Sequence, residues 1–316
     1  MHEQASILTR LKSEDLNTRR VALTELDEIV ESASIGDVLP LLVDDDPTVR
    51  RLAVAALEEI GDPEALPDLL KASADPDPAV ASSAQTAVMQ FRSPESLDAL
   101  LEGATDQMPE VRQAAAAALR GFKDPRVCAV LVGRIDDPVA LVRREVVLTL
   151  GRYKDSGGVL SALQTALKDD DEEVRRLAVD AISQPGDSNV FPLIRAARDR
   201  AWRVRRQAAI GLGNYRSEEG ETALVQALSD EHWEVTKEAI VSLGRLRTPI
   251  SGELRRFFTH ELADVRLAAA VAAGQIGSSE LESDLRTLTA DPDTGVRKAA
   301  SRALRQLTET NQASRV

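Results

Sequence analysis

The feature that most limits how this chain can fold is its period. A valine followed by arginine, just after an acidic turn, recurs as Val49-Arg50, Val111-Arg112, Val142-Arg143, Val174-Arg175, Val204-Arg205, Val265-Arg266 and Val296-Arg297, with Thr18-Arg19, Val80-Ala81 and Val235-Thr236 at the remaining steps. Successive steps are 31, 31, 31, 31, 32, 30, 31, 30 and 31 residues long. A period of that size marks stacked supersecondary units, none of which can bury its apolar face alone. The 316 residues are also long for one hydrophobic core, since single cores stop growing near ~250–300 residues.

Within the unit the pattern is helical. Counting the valine as zero, position +4 is Ala22, Ala53, Ala84, Ala115, Ala178, Ala208, Ala239, Ala269 or Ala300, with Val146 the exception. Position +8 is mostly Leu, Ile or Val, and +11 includes Phe91, Phe122, Tyr153 and Tyr215. Apolar residues at 0, +4, +7, +8 and +11 share one face of a helix, and alanine there lets a neighbouring helix come close. Upstream, Leu66, Leu69, Leu70 and Ser73, or Leu97, Leu100, Leu101 and Ala104, define a shorter first helix. Asp46-Pro47, Asp77-Pro78, Asp137-Pro138 and Asp291-Pro292 read as N-caps followed by the first helical turn. Gly61, Gly121, Gly151, Gly213, Gly244 and Gly277 stand where a left-handed C-cap is expected. Gln184-Pro185-Gly186 interrupts the sixth second helix and predicts a local bend. No strand pattern occurs.

The segment DPTVRRLAVAALEEIGDPEALPDLL, from Asp46 to Leu70, resembles the short HEAT-like repeats of the phycobilisome-lyase, or E-Z, type. With the period, the resemblance implies an all-α fold, a right-handed α-α superhelix of about ten two-helix repeats. It predicts one solenoid over residues 1–316, with repeats to about 309 and a short polar tail at 310–316. It also implies that the Val-Arg arginines meet turn carboxylates in a structural ladder, for which Asp46, Asp77, Asp171, Asp199 and Asp230 are the available partners.

Composition narrows the function classes. The net charge is −13, and residues 1–100 alone hold 20 acidic and eight basic residues. Such an acidic surface repels duplex nucleic acid and anionic membranes. The start lacks a basic-then-apolar leader and no apolar run is long enough for a membrane helix, so a soluble, cytoplasmic protein is expected. Iron-binding HEAT-like hydroxylases use repeated His-Glu pairs; only His2-Glu3 and His260-Glu261 match here, so no metal site is expected. Cys128 aligns with Leu66 and Leu97 and reads as a small buried hydrophobe. There is no phosphate loop, nucleophile elbow or paired-cysteine motif, and no cofactor is expected.

Two constellations rise above this background. Arg195, Arg198, Arg200, Arg203, Arg205 and Arg206 surround Trp202, and Trp233, beside His232, takes the equivalent −2 position one repeat later. Tryptophan and arginine dominate binding hot spots, although a tryptophan can equally pack over its own turn. Position +2, opposite the packed face, is Arg144, Arg176, Arg206 and Lys237 in four consecutive repeats, beside Leu148, Asp180, Ile210, Val241 and then Val271 at +6. In HEAT-type stacks that face is concave, so the rows describe a groove for an acidic amphipathic segment or an anionic organic ligand. The expected function is a non-catalytic scaffold, adaptor or assembly factor gripping a protein partner through Arg144, Leu148, Arg176, Trp202, Arg203, Arg206, Ile210, Trp233, Lys237 and Val241. The family resemblance keeps a second reading open: a bilin lyase or chromophore-handling protein, with tetrapyrrole propionates on Arg144, Arg176 or Arg206 and rings on Trp202.

Overall fold

A computed structural model describes residues 2–26, 35–154, 156–183 and 190–313. The Gln184-Pro185-Gly186 interruption lies outside the described residues. Every regular element among those described is helical, and the helices pair in chain order into ten repeats. They are α1 (His2–Leu11) with α2 (Leu16–Glu25), α3 (Ile35–Val38) with α4 (Pro47–Ile60), α5 (Leu66–Ala72) with α6 (Pro78–Val88), α7 (Ser96–Gly103) with α8 (Pro109–Leu119), and α9 (Pro125–Val132) with α10 (Ala140–Leu150). There follow α11 (Val159–Ala166) with α12 (Glu172–Ile182), α13 (Phe191–Ala196) with α14 (Trp202–Leu212), α15 (Glu218–Ala227) with α16 (Trp233–Leu246), α17 (Ser251–Leu254) with α18 (Ala263–Ile276), and α19 (Glu282–Leu288) with α20 (Thr294–Ala313). The chain forms two compact units, Met1–Leu163 and Gln164–Val316.

The helical period governs burial in both units. All nine +4 alanines and Val146 are fully buried, as are the zero-position valines to within 2%. Burying only a methyl at +4 brings second helices close enough to pack on one another: α4 on α6 and α8 on α10 in the first unit, α14 on α16, α16 on α18 and α18 on α20 in the second. Cys128 is buried on α9.

Turn chemistry departs from the sequence reading in two places. Asp46 and Asp77 do cap α4 and α6, accepting from Val49 N and from Ala79 and Val80 N. Asp137 and Asp291 do not cap; α10 starts from Val139, and Asp293 accepts from Val296 N at the start of α20. The cause is a two-residue offset, because the carboxylate two positions earlier in the turn serves the inter-repeat ladder described below. Of the six glycines expected as caps, Gly61 and Gly277 end helices in the left-handed conformation, at φ 66° and 78°. Gly151 and Gly213 are right-handed, Gly121 is not at positive φ, and Gly244 lies inside α16, whose left-handed C-cap is Arg247. Gly213 and Gly244 answer a different need. A Cβ on Gly213 would sit 2.7 Å from Ser242 Cβ, and one on Gly244 2.7 Å from Ala272 Cβ, distances no real side chain tolerates. Position +9 of one second helix thus meets +7 of the next, and Ser242 Oγ donates across that seam to Ala209 O at 2.8 Å.

Candidate partner-binding surface

The ladder is the framework on which any surface side chain is hung. In five rungs the arginine grips one carboxylate with Nε and Nη2: Arg50 with Asp75 and Arg112 with Asp137 in the first unit, Arg175 with Asp199, Arg205 with Asp230 and Arg266 with Asp291 in the second, at 2.6–3.0 Å. Arg19 and Asp44 form a sixth pair. Nη1 turns back to two carbonyls of the turn before its own helix, as from Arg112 to Asp106 O and Gln107 O. Each carboxylate also accepts a backbone N–H two residues on, as Asp137 from Val139. Planar guanidinium donors suit this bidentate geometry. Hydrogen bonds from Arg50 and Arg266 hold Asp75 and Asp291 below the usual carboxylate range. At Asp137, Asp199 and Asp230 burial pushes upward, and the arginine with a backbone N–H outweighs it, leaving these carboxylates lowered too.

The sequence reading placed Asp199 and Asp230 in the ladder, and they are. Asp46 instead pairs with Arg20, while Asp77 and Asp171 cap helices. The partners in these six pairs are the aspartates two residues before the N-cap position, Asp44, Asp75, Asp137, Asp199, Asp230 and Asp291. Two joints differ. Ala81 on α6 stands where an arginine would face Asp106. Thr236 on α16 takes the arginine position, and His260, before α18, takes the aspartate position. His260 Nδ1 accepts from Leu262 N at 3.1 Å, reproducing the turn bond of the aspartates.

Arg144 and Leu148 lie half-buried on α10 of the first unit; the other proposed contact residues lie in the second. There, the +2 basic row is largely matched by acids. Arg176 forks onto Glu173 at 2.7 and 2.8 Å, and Arg206 reaches Glu238 of the next second helix at 3.0 Å. Lys237 lies over the Trp233 ring at 5.5 Å, and Gln207 donates to Asp180 at 2.8 Å. Ile210 and Val241 are half-buried, while Leu267 and Val271 on α18 are 36% and 39% exposed. Glu173 could have been read from its i,i+3 spacing. Glu238 could not, since it arrives from a different repeat, and Leu267 went unnoticed because its position is basic in the preceding repeats.

Unmatched positive charge sits instead on the α13–α14 edge. Arg205 of the arginine cluster belongs to the ladder, but Arg195, Arg198, Arg200 and Arg203 are exposed. Among the described residues Arg198 meets only the Gln226 amide, Arg200 only the Asp170 carbonyl, and no carboxylate pairs with Arg195. Arg203 reaches the exposed Glu172 at 3.3 Å and lies over the Trp202 ring at 4.8 Å. Trp202 also stacks on His232, centroids 5.4 Å apart and planes 23° apart. That stack joins the first turn of α14 to the residue before α16, so the two tryptophan positions form one edge. A ring already stacked on His232 and covered by Arg203, with Arg176 and Arg206 already holding carboxylates, does not favour a tetrapyrrole. A shallow open cleft of about 460 Å³ past the C-terminal end of α14 is lined by Arg216, Ser217, Glu221, Thr222, Val225 and Thr248, with Thr248 donating to Glu221 at 2.8 Å. No helix among the described residues is long and apolar enough to cross a membrane.

Comparison with known proteins agrees with this architecture. No curated protein matches the chain in sequence. Among solved structures, YibA of Escherichia coli superposes with a TM-score of 0.61 at 19% identity, covering 90% of this chain and 96% of that one. Yeast importin-beta (Kap95p) gives 0.66 at 15% identity, covering 99% of this chain and 51% of that one, so this chain spans about half the importin's length. An engineered protein gives 0.54 at 22% identity, covering 96% and 98%. At these identities the likeness is one of fold. The family model described as HEAT repeats matches residues 5–88, 68–151, 135–197, 190–254 and 252–315. Matched from end to end in this way, the chain belongs to the HEAT-repeat family, in the α-α superhelix class of all-α folds.

Proposed function

We propose that this protein is a non-catalytic binding scaffold, an adaptor or assembly factor, whose partner docks on the second unit around α14 and α16. The observation that carries the reading is the α13–α14 edge: the exposed Arg195, Arg198 and Arg200 have no carboxylate partner among the described residues, and they lie beside an aromatic stack that is only partly buried. Folding gains nothing evident from leaving Arg195, Arg198 and Arg200 unmatched, whereas the ladder shows how readily this chain pairs an arginine when structure requires it. Arginine and tryptophan at such a site supply the anchors that dominate protein interfaces. The half-buried Ile210 and Val241 and the exposed Leu267 and Val271 continue the surface with apolar area, which fits an acidic amphipathic segment. A solved complex of Kap95p with RanGDP supports protein binding as work that a HEAT array performs.

The test is affinity capture with the full chain, identification of the captured protein, and titration of the purified pair. Arg198→Glu with Trp202→Ala, and separately Arg206→Glu with Ile210→Ser, are each expected to weaken binding by at least ~2 kcal/mol, about thirtyfold, with melting temperature nearly unchanged. Arg51→Glu with Ala55→Ser, in the first unit, is the control expected to bind like the parent. Added salt is expected to weaken the parent complex. Parent-like affinity in both test doubles would remove the assignment.

A further inference from the structure

We propose that the turn edge of repeats three and four is a docking notch for an arginine side chain of a protein partner. The argument starts from the ladder's own repetition. In the five bidentate rungs a guanidinium is held by the same set of acceptors: a carboxylate in the next turn and two carbonyls in its own turn. At repeat three the arginine position is Ala81, which ends at a methyl. The corresponding acceptors are present. Asp106 opens the turn before α8, and Asp75 and Pro76 occupy the turn before α6. Asp106 Oδ1 accepts from Met108 N at 2.7 Å, as every ladder aspartate does from the residue two on. Among the described residues no cation reaches the Asp106 carboxylate, and no donor reaches the carbonyls of Asp75 or Pro76. The chemistry left facing outward is therefore that of a guanidinium receptor, and Ala81 and Asp106 are both part-exposed.

Two further observations point to a protein as the source of that guanidinium. Met108, whose backbone N–H the Asp106 carboxylate holds, is 39% exposed, and Leu141 in the first turn of the next second helix is 48% exposed, so apolar area begins at the notch and recurs one repeat on. The charge also matches: residues 1–100 hold 20 acids against eight bases, a field that draws in a basic segment. This surface lies in the first unit and shares no residue with the one proposed above, so either can fail without the other.

The test uses the isotope-labelled full chain and three capped probes: acetyl-arginine amide, acetyl-lysine amide and acetyl-Leu-Arg-Leu amide. Saturable shifts at Ala81, Asp106 and Met108 are expected with the arginine probe. The lysine probe is expected to bind roughly tenfold more weakly, because an ammonium cannot fork onto carboxylate and carbonyls together. The tripeptide is expected to bind more tightly than arginine alone and to shift Leu141 as well. Ala81→Arg fills the notch from within, so it is expected to abolish probe binding and raise the melting temperature. Asp106→Asn is expected to abolish binding by a second route. Equal binding of lysine and arginine, no gain from the leucines, or undiminished binding in either variant that folds would overturn the proposal.

Discussion

Arg112 and Asp137 are the most enclosed of the ladder pairs, their side chains 9% and 1% exposed. Removing the guanidinium leaves a buried carboxylate with only the Val139 N–H. Breaking one partner of such a pair costs about 3–5 kcal/mol, mostly the expense of an uncompensated buried charge. Arg112→Ala is therefore expected to lower the unfolding free energy by that amount. Arg20→Ala, at a pair 36% and 18% exposed, is expected to lose less than ~1 kcal/mol. Denaturant titrations of the two variants check this, and equal losses would mean that the ladder is surface decoration. At this scale the sequence was only partly legible. Turns such as Asp75-Pro76-Asp77 present two carboxylates two residues apart, one for the local helix and one for the neighbouring repeat. Which is which depends on the offset between stacked repeats, so Asp46 and Asp77 read as rungs although Asp44 and Asp75 fill that place.

Between elements, the seam of α14 with α16 rests on Gly213 facing Ser242. Gly213→Ala is expected to cost about 1–3 kcal/mol, as overpacking does in a tight interface, despite alanine's better helix propensity. Adding Ser242→Gly is expected to restore part of that loss by reopening the seam; a double variant no more stable than the single would place the strain elsewhere. The pairing of helices, their order and their buried faces were legible because a 3.6-residue pattern repeated ten times leaves little choice. The glycines were not, since one residue type serves both left-handed caps and close helix approach. For the candidate surface, the clustering of tryptophan and arginine was legible but its neighbours were not: His232 on Trp202 and Glu238 on Arg206 come from other repeats.

Across the whole molecule the ladder predicts how stability responds to acid. Asp75, Asp199, Asp230 and Asp291 are held below their ordinary range in the folded chain. A carboxylate lowered by folding contributes fully above its unfolded value, ~3.9, and loses that contribution as pH falls through the folded value. The melting temperature is therefore expected to be nearly flat from pH 8 to ~5 and to fall steeply below ~4. A melting temperature unchanged from pH 5 to 3 would show that the carboxylates are no better placed folded than unfolded. Where each repeat depends on its neighbours, this loss is shared along the repeats of each unit instead of staying at one site.

The joint at Thr236 and His260 bears on how the second unit keeps its repeats in sequence. A forked arginine facing an aspartate is the same plug and socket wherever it occurs, so those joints alone offer no means of telling one neighbour from another. A chain that collapses with repeats docked out of turn could satisfy every such joint wrongly. The joint of Thr236 with His260 does not permit that exchange. Docked against Thr236, any aspartate-bearing turn would leave its carboxylate without a guanidinium, and an arginine docked against His260 would meet a ring nitrogen already taken by Leu262. One unlike joint in a row of like ones thus penalises docking of repeats out of turn within this unit.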